Sequence, residues 1–128
     1  MAEFTDFMEN KIIDHMLRAQ AYTVATQVWV GLYTTTTNDA GGGTEVTGGA
    51  YARKLAGLSA ATGGASSNAT DITFPTATAS WGTITHVALL DAESAGNMLM
   101  HSPLDASKAV ASGDTFKINA GDLDVTVA

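Results

Sequence analysis

The chain has 128 residues, 45% of them hydrophobic, only 15% charged and none of them cysteine. That suffices for one domain with one core, and it excludes a disulfide scaffold, cysteine-held zinc or iron–sulfur centres and a thiol nucleophile. Six Lys and Arg against thirteen Asp and Glu leave a formal charge of -7, so nucleic acid is not expected as a partner, because phosphate neutralisation supplies most of that affinity.

In place of charge the chain carries 22 Ala, 13 Gly and runs of Thr such as Thr34–Thr37. Disorder pairs low hydrophobicity with high net charge. Here the hydrophobicity is adequate, so a folded, loop-rich, β-inclined domain is expected. A Thr/Ala/Gly surface is weakly defended against association and suits a protein held inside an assembly. The first residues are acidic, with no basic or apolar targeting pattern. No run approaches the roughly 18 apolar residues of a membrane span, so no membrane partner is expected.

Phe4, Met8, Ile12, Met16 and Ala19 recur at helical spacing, with Phe7, Ile13 and Leu17 widening the apolar face. This predicts one amphipathic helix over about residues 4–19. Thr5 stands where an N-cap would, and Arg18 lies near the end that favours cations. The pattern then turns to β. Gln27–Thr34 is β-branched and aromatic, with Val28, Val30 and Leu32 on one face. Asn38–Gly43 and Gly48-Gly49 read as loops, Tyr51–Leu55 as a weaker strand, and Gly63–Ser67 as a flexible link. Ala69–Phe74 alternates weakly and stops at Pro75. Thr83–Leu90 is the best central strand, apolar on both faces towards its end. Asp91–Gly96 is a hairpin turn into Met98–His101, a strand expected to end at Pro103. Thr115–Ile118 and Leu123–Val127 are the last two strands.

Short strands at regular spacing, with turn residues between them, predict an all-β fold. The expected form is an antiparallel β-sandwich or jelly-roll-like domain with one N-terminal amphipathic helix. The helix would occupy residues 1–20 and the β-sandwich 21–128, one domain overall. Its core is expected to include Val28, Val30, Leu32, Ile84, Val87, Leu89, Leu99, Phe116, Ile118, Leu123 and Val125.

The sequence carries no recognisable catalytic constellation. His15, His86 and His101 lack HxH or HExxH spacing and read as ordinary positions. Asp122 with Asp124, and Asp91 with Glu93, lack the ligand pattern of a Ca²⁺ loop. No Ser stands in a G-x-S-x-G elbow, and Gly41–Gly43 is followed by no Lys-[Ser/Thr]. No enzyme activity, cofactor or required metal is therefore expected. Trp29, Trp81, Tyr22, Tyr33 and Tyr51 would serve either a core or a sugar platform. The leading helix would either pack on its own subunit or reach a neighbour. Phe4, Phe7, Met8, Ile12 and Met16 are its candidate assembly interface.

Several segments together resemble a group of small tailed-bacteriophage virion proteins. They are Glu9–His15, Val28–Thr34, the run Gly-Thr-Glu-Val-Thr-Gly-Gly-Ala-Tyr-Ala-Arg at 43–53, Phe74–Val87 with Trp-Gly-Thr-Ile-Thr-His at 81–86, and Ala111–Phe116 onward. Proteins of this kind are commonly labelled tail-fibre proteins. The resemblance implies a structural role in the virion, with host cytoplasm as the place of assembly, and carries over no catalytic or ligand residue. Three roles follow as expectations. The first is a capsid decoration or cement protein that oligomerises, as a trimer or other symmetric set, on the major capsid protein. The second is a tail fibre, neck or baseplate component bound to a tail protein. The third is a carbohydrate-binding module.

Overall fold

The computed structural model describes residues 3–127, so what was expected of residues 1, 2 and 128 lies outside the described residues. The chain forms strand β1 (Glu3–Phe4), helix α1 (Asp6–Ile12) with a π-helical turn over Ile13–Leu17, and strands β2 (Trp29–Tyr33), β3 (Lys54–Leu55), β4 (Ala65–Ser67), β5 (Ile72–Thr73), β6 (Gly82–Leu90), β7 (Met98–Val110), β8 (Lys117–Ile118) and β9 (Asp124–Thr126). Every pairing is antiparallel. One five-stranded sheet has the order β1-β7-β6-β2-β3, and two small ladders pair β4 with β9 and β5 with β8. The fold is all-β with one N-terminal helix, as the strand spacing predicts.

The sheet follows from the alternation in β2 and β6. Val30 lies opposite Leu89 and Leu32 opposite Val87, and Leu89 lies opposite Met100 on β7. These residues are all buried on one face, where Ile72, Phe74 and Phe116 from the region of the β5–β8 ladder close over them. Leu123 and Val125 add a half-buried margin from the β9 side. Phe74 meets Phe116 edge-on at 5.7 Å and lies parallel to Tyr51 at 6.3 Å between ring centroids. Of the expected core, Val30, Leu32, Ile84, Val87, Leu89, Leu99 and Phe116 are buried, while Val28, Ile118, Leu123 and Val125 are partly buried against it. The second face of the sheet carries a smaller apolar group, Tyr33, Ala88, Leu90 and Met98.

Three local expectations are corrected. The helix begins at Asp6 rather than at residue 4, because Phe4 pairs with Met100 as a strand residue. Thr5 is the cap: its hydroxyl accepts a bond from Met8 N at 3.4 Å and donates to Met98 O at 2.6 Å. The strand expected to end at Pro103 continues to Val110. Proline is tolerated at strand edges and bulges. Pro103 has both, since β1 covers only Met100 and His101, and the β6–β7 register shifts between Ile84 and His86. The link at Gly63–Ser67 contains a strand, β4, because Gly63 and Gly64 take positive φ in a tight turn that returns the chain beside β9.

Candidate functional site

The five residues expected to form an assembly interface separate into two groups. Phe4, Phe7 and Met8 are partly buried and pack against the chain's own core. Ile12 is half-buried at the end of α1. Met16 is 70% exposed, and it is joined by Leu17 at 81%, Ile13 at 50% and Val24 at 63%. The helix thus holds its own subunit with its first turns and presents apolar side chains to solvent with its last. Lys11 sits over the rings of Phe7 and Tyr22 at 5.6 and 5.7 Å, joining the helix to the segment that follows it.

The 43–53 run builds a polar clamp on the second face of the sheet. Tyr51 and Arg53 are two residues apart, so in extended chain they point the same way. Arg53 donates from Nε and Nη2 to the two carboxylate oxygens of Glu45, at 2.8 and 2.7 Å. Its Nη1 donates to the carbonyls of Ala92 and Ala95, at 2.9 and 2.8 Å, which lie in the β6–β7 turn. Tyr51 donates its hydroxyl proton to Glu45 at 2.6 Å and accepts from Leu32 N at 3.0 Å. Burial alone would push the Glu45 carboxyl up, but hydrogen bonds from Arg53 and Tyr51 and the guanidinium charge outweigh it and hold it below its ordinary value. Burial, then the bond to Glu45, pushes the Tyr51 phenol up. The bond to Glu45 also raises Arg53. Bidentate geometry of this kind is the strong form of a charge-assisted hydrogen bond.

Two glycines make the arrangement possible. A Cβ on Gly31 would lie 2.9 Å from both Glu45 Oε2 and Leu90 Cδ1, so the carboxylate rests directly on the β2 backbone. Gly49 takes φ +58, and a Cβ there would lie 2.8 Å from Trp81 Nε1. That indole nitrogen donates to Gly49 O at 2.9 Å. The 43–53 run and the Trp81–His86 run, distant in sequence, are therefore joined at Gly49 and Trp81. Their residue types are explained by packing. Trp81 and Tyr33 are buried and Tyr51 is packed on the core, so these three rings form no exposed platform.

A family model described as Podophage GP4 fiber I protein gp80 matches residues 3–126. The chain belongs to this family. Comparison with curated proteins returns no match. Membership in the fibre I family makes the chain a structural component of a bacteriophage virion, in agreement with the resemblance read from its segments. The tail alternative accords with the family's description better than capsid decoration does.

A second polar cluster was not legible in the sequence. His101 on β7 is buried, with Nδ1 2.9 Å from Thr37 Oγ1 and Nε2 2.9 Å from Asp39 Oδ1. Glu3 stands opposite His101 in the β1–β7 ladder. The ligand-type atoms of Glu3, Asp39 and His101 all lie within 4.8 Å of one another. His15 and His86 are apart from this group: His15 bonds to Gln20 O at 3.0 Å and His86 to Thr85 Oγ1 at 2.8 Å. Asp122 and Asp124 are exposed on the last turn and strand, and Asp91 holds Asn97 across the hairpin turn at 2.7 Å.

Proposed function

We propose that the protein is a non-enzymatic part of the tail-fibre apparatus of a podophage and works as a symmetric homo-oligomer, a trimer in the simplest case. The observation that carries the reading is the fibre I family match over residues 3–126. The exposed apolar group Ile13, Met16, Leu17 and Val24 supports the oligomer. Burying such side chains is worth roughly 1.5–3 kcal/mol each, enough to favour covering the patch with that of a second copy. The group extends the expected interface: Met16 belongs to it, whereas Phe4, Phe7 and Met8 are spent on the subunit's own core. The mechanism is mechanical. A rigid sheet, clamped at its main hairpin by Arg53, displays the helix end as an attachment point.

Copy number per particle tests the location. Tail-fibre stoichiometry, a handful to dozens per virion, is expected. Hundreds of copies spread over the head would return the protein to capsid decoration. Light scattering of the purified chain tests the oligomer, with a trimer mass expected and a monomer at all concentrations excluding it.

A further inference from the structure

We propose that Glu3, Asp39 and His101 form a divalent transition-metal site, best matched by Zn²⁺, which ties the N-terminal strand and the 34–43 loop to β7. The three residues come from three separate segments, yet backbone bonds fix each. Glu3 is set by its register with His101. Asp39 is set by the bond from Asp6 N to its carbonyl at 2.9 Å. The start of the helix is held to β7 by Thr5 N bonding Leu99 O at 3.0 Å.

The donor set points to an ion by its chemistry. One imidazole and two carboxylates supply a nitrogen and oxygens, a combination that Zn²⁺ accepts with water completing the coordination. Nε2 and Asp39 Oδ1 lie 2.9 Å apart as a hydrogen-bonded pair, and a separation of only about 0.4 Å more would give the ~3.3 Å spacing of two tetrahedral ligands about 2.0–2.1 Å from a shared ion. Thr37 supplies the outer partner. Its hydroxyl can accept a hydrogen bond from Nδ1–H, a tautomer that leaves the Nε2 lone pair for the metal and fixes the ring plane. Among the described residues, neither Glu3 nor Asp39 is paired with a lysine or arginine. Two carboxylates beside one imidazole thus have no permanent cation between them, and a divalent ion would supply it. Asp39 also lines a surface depression with Asp6, Gly41, Asn97 and Met98.

Such an ion would reinforce a short connection. β1 contributes only two paired residues, and the helix that bears the proposed attachment patch hangs from it. The site is an addition to a fold with its own core, so the stripped protein should remain folded.

The test is titration of Zn²⁺ into the metal-stripped full-length chain by calorimetry, with thermal unfolding alongside. One ion per chain is expected, with a rise in Tm of about 5 °C or more once free Zn²⁺ exceeds the Kd about a hundredfold. Glu3→Gln and Asp39→Asn should each weaken binding at least about tenfold. Glu3 is exposed, so its variant is expected to fold even if His101→Gln does not, and circular dichroism of the stripped protein checks this. X-ray absorption on the loaded chain should show only nitrogen and oxygen neighbours. No saturable binding up to about 1 mM Zn²⁺ would overturn the proposal. So would binding that is unchanged in both Glu3→Gln and Asp39→Asn, or an equal response to Mg²⁺, which has little use for an imidazole.

Discussion

The two faces of the five-stranded sheet are sealed by different chemistry. On one, Val30, Leu32, Val87, Leu89 and Met100 meet Phe74, Phe116 and Ile72 in an apolar layer. On the other, a small apolar group is finished by the Glu45–Arg53 clamp and the Thr37–His101–Asp39 chain. Apolar packing is set by volume and tolerates a swap of similar size. A hydrogen-bonded charge pair is set by direction and tolerates almost none. The sheet therefore has one forgiving face and one exacting face, and the exacting one holds the loops.

Substitutions can break that contrast or sharpen it. The largest effect is expected from Phe74→Ala, which empties a fully buried site between Phe116 and Tyr51. It should cost about 3–5 kcal/mol in denaturant unfolding, whereas Phe74→Leu should recover most of that. Arg53→Ala should cost about 3–4 kcal/mol, since it leaves a mostly buried carboxylate and two turn carbonyls without their donor. Here the conservative change should not rescue: Arg53→Lys cannot make the fork, and most of the loss is expected to persist. If Arg53→Lys proved as mild as Phe74→Leu, the contrast between the faces would be wrong.

Acid should weaken the clamp. The Glu45 carboxyl is held below its ordinary value of 4.5 in the folded chain. The stability this adds is full above about pH 4.5 and is lost as pH falls through the lower folded value. Tm measured from pH 6 to pH 2.5 should therefore fall below about pH 4.5, and Glu45→Gln, already destabilised at neutral pH, should show a shallower fall. The smallest effect on stability is expected at the helix end. Met16→Asp with Leu17→Asp should change unfolding free energy by no more than about 0.5 kcal/mol, because both side chains already face water. Self-association, read by light scattering, should nonetheless be lost. Phe7→Asp is the opposite case, since Phe7 packs on the core and its charge would unfold the domain before it tested any interface.

The apolar face was legible from sequence because periodicity reports burial. Val28-Trp-Val-Gly-Leu and the double-faced run Val87–Leu90 are recognisable as strands without knowledge of their partners. Ala65-Ser66-Ser67 carries no such pattern; its strand exists because a Gly-Gly turn lays it against Asp124–Thr126. Pro103 misled for a related reason, because a residue that stops an internal strand is harmless where only two residues of β1 flank β7. The polar face was only half visible. Tyr51 and Arg53 stand two apart in extended chain, but the carbonyls that Arg53 reaches lie 39 and 42 residues away. Nothing local marks Asp39 and His101 as partners across 62 residues. Helical periodicity likewise identified an apolar stripe without saying which turns would be used at home and which left free.

The Arg53 bridge to the β6–β7 turn has a consequence for how the molecule forms. The β6–β7 hairpin joins through a short turn and can close early, while Arg53 must arrive from about forty residues upstream, at a higher loop-closure cost. In that sequence of events the clamp is absent from the transition state and locks afterwards. Arg53→Ala should then leave the refolding rate nearly unchanged and appear almost wholly as faster unfolding, a φ-value close to zero. A late latch of this kind adds lifetime to the folded state, the property that a particle needs between release from one host and contact with the next.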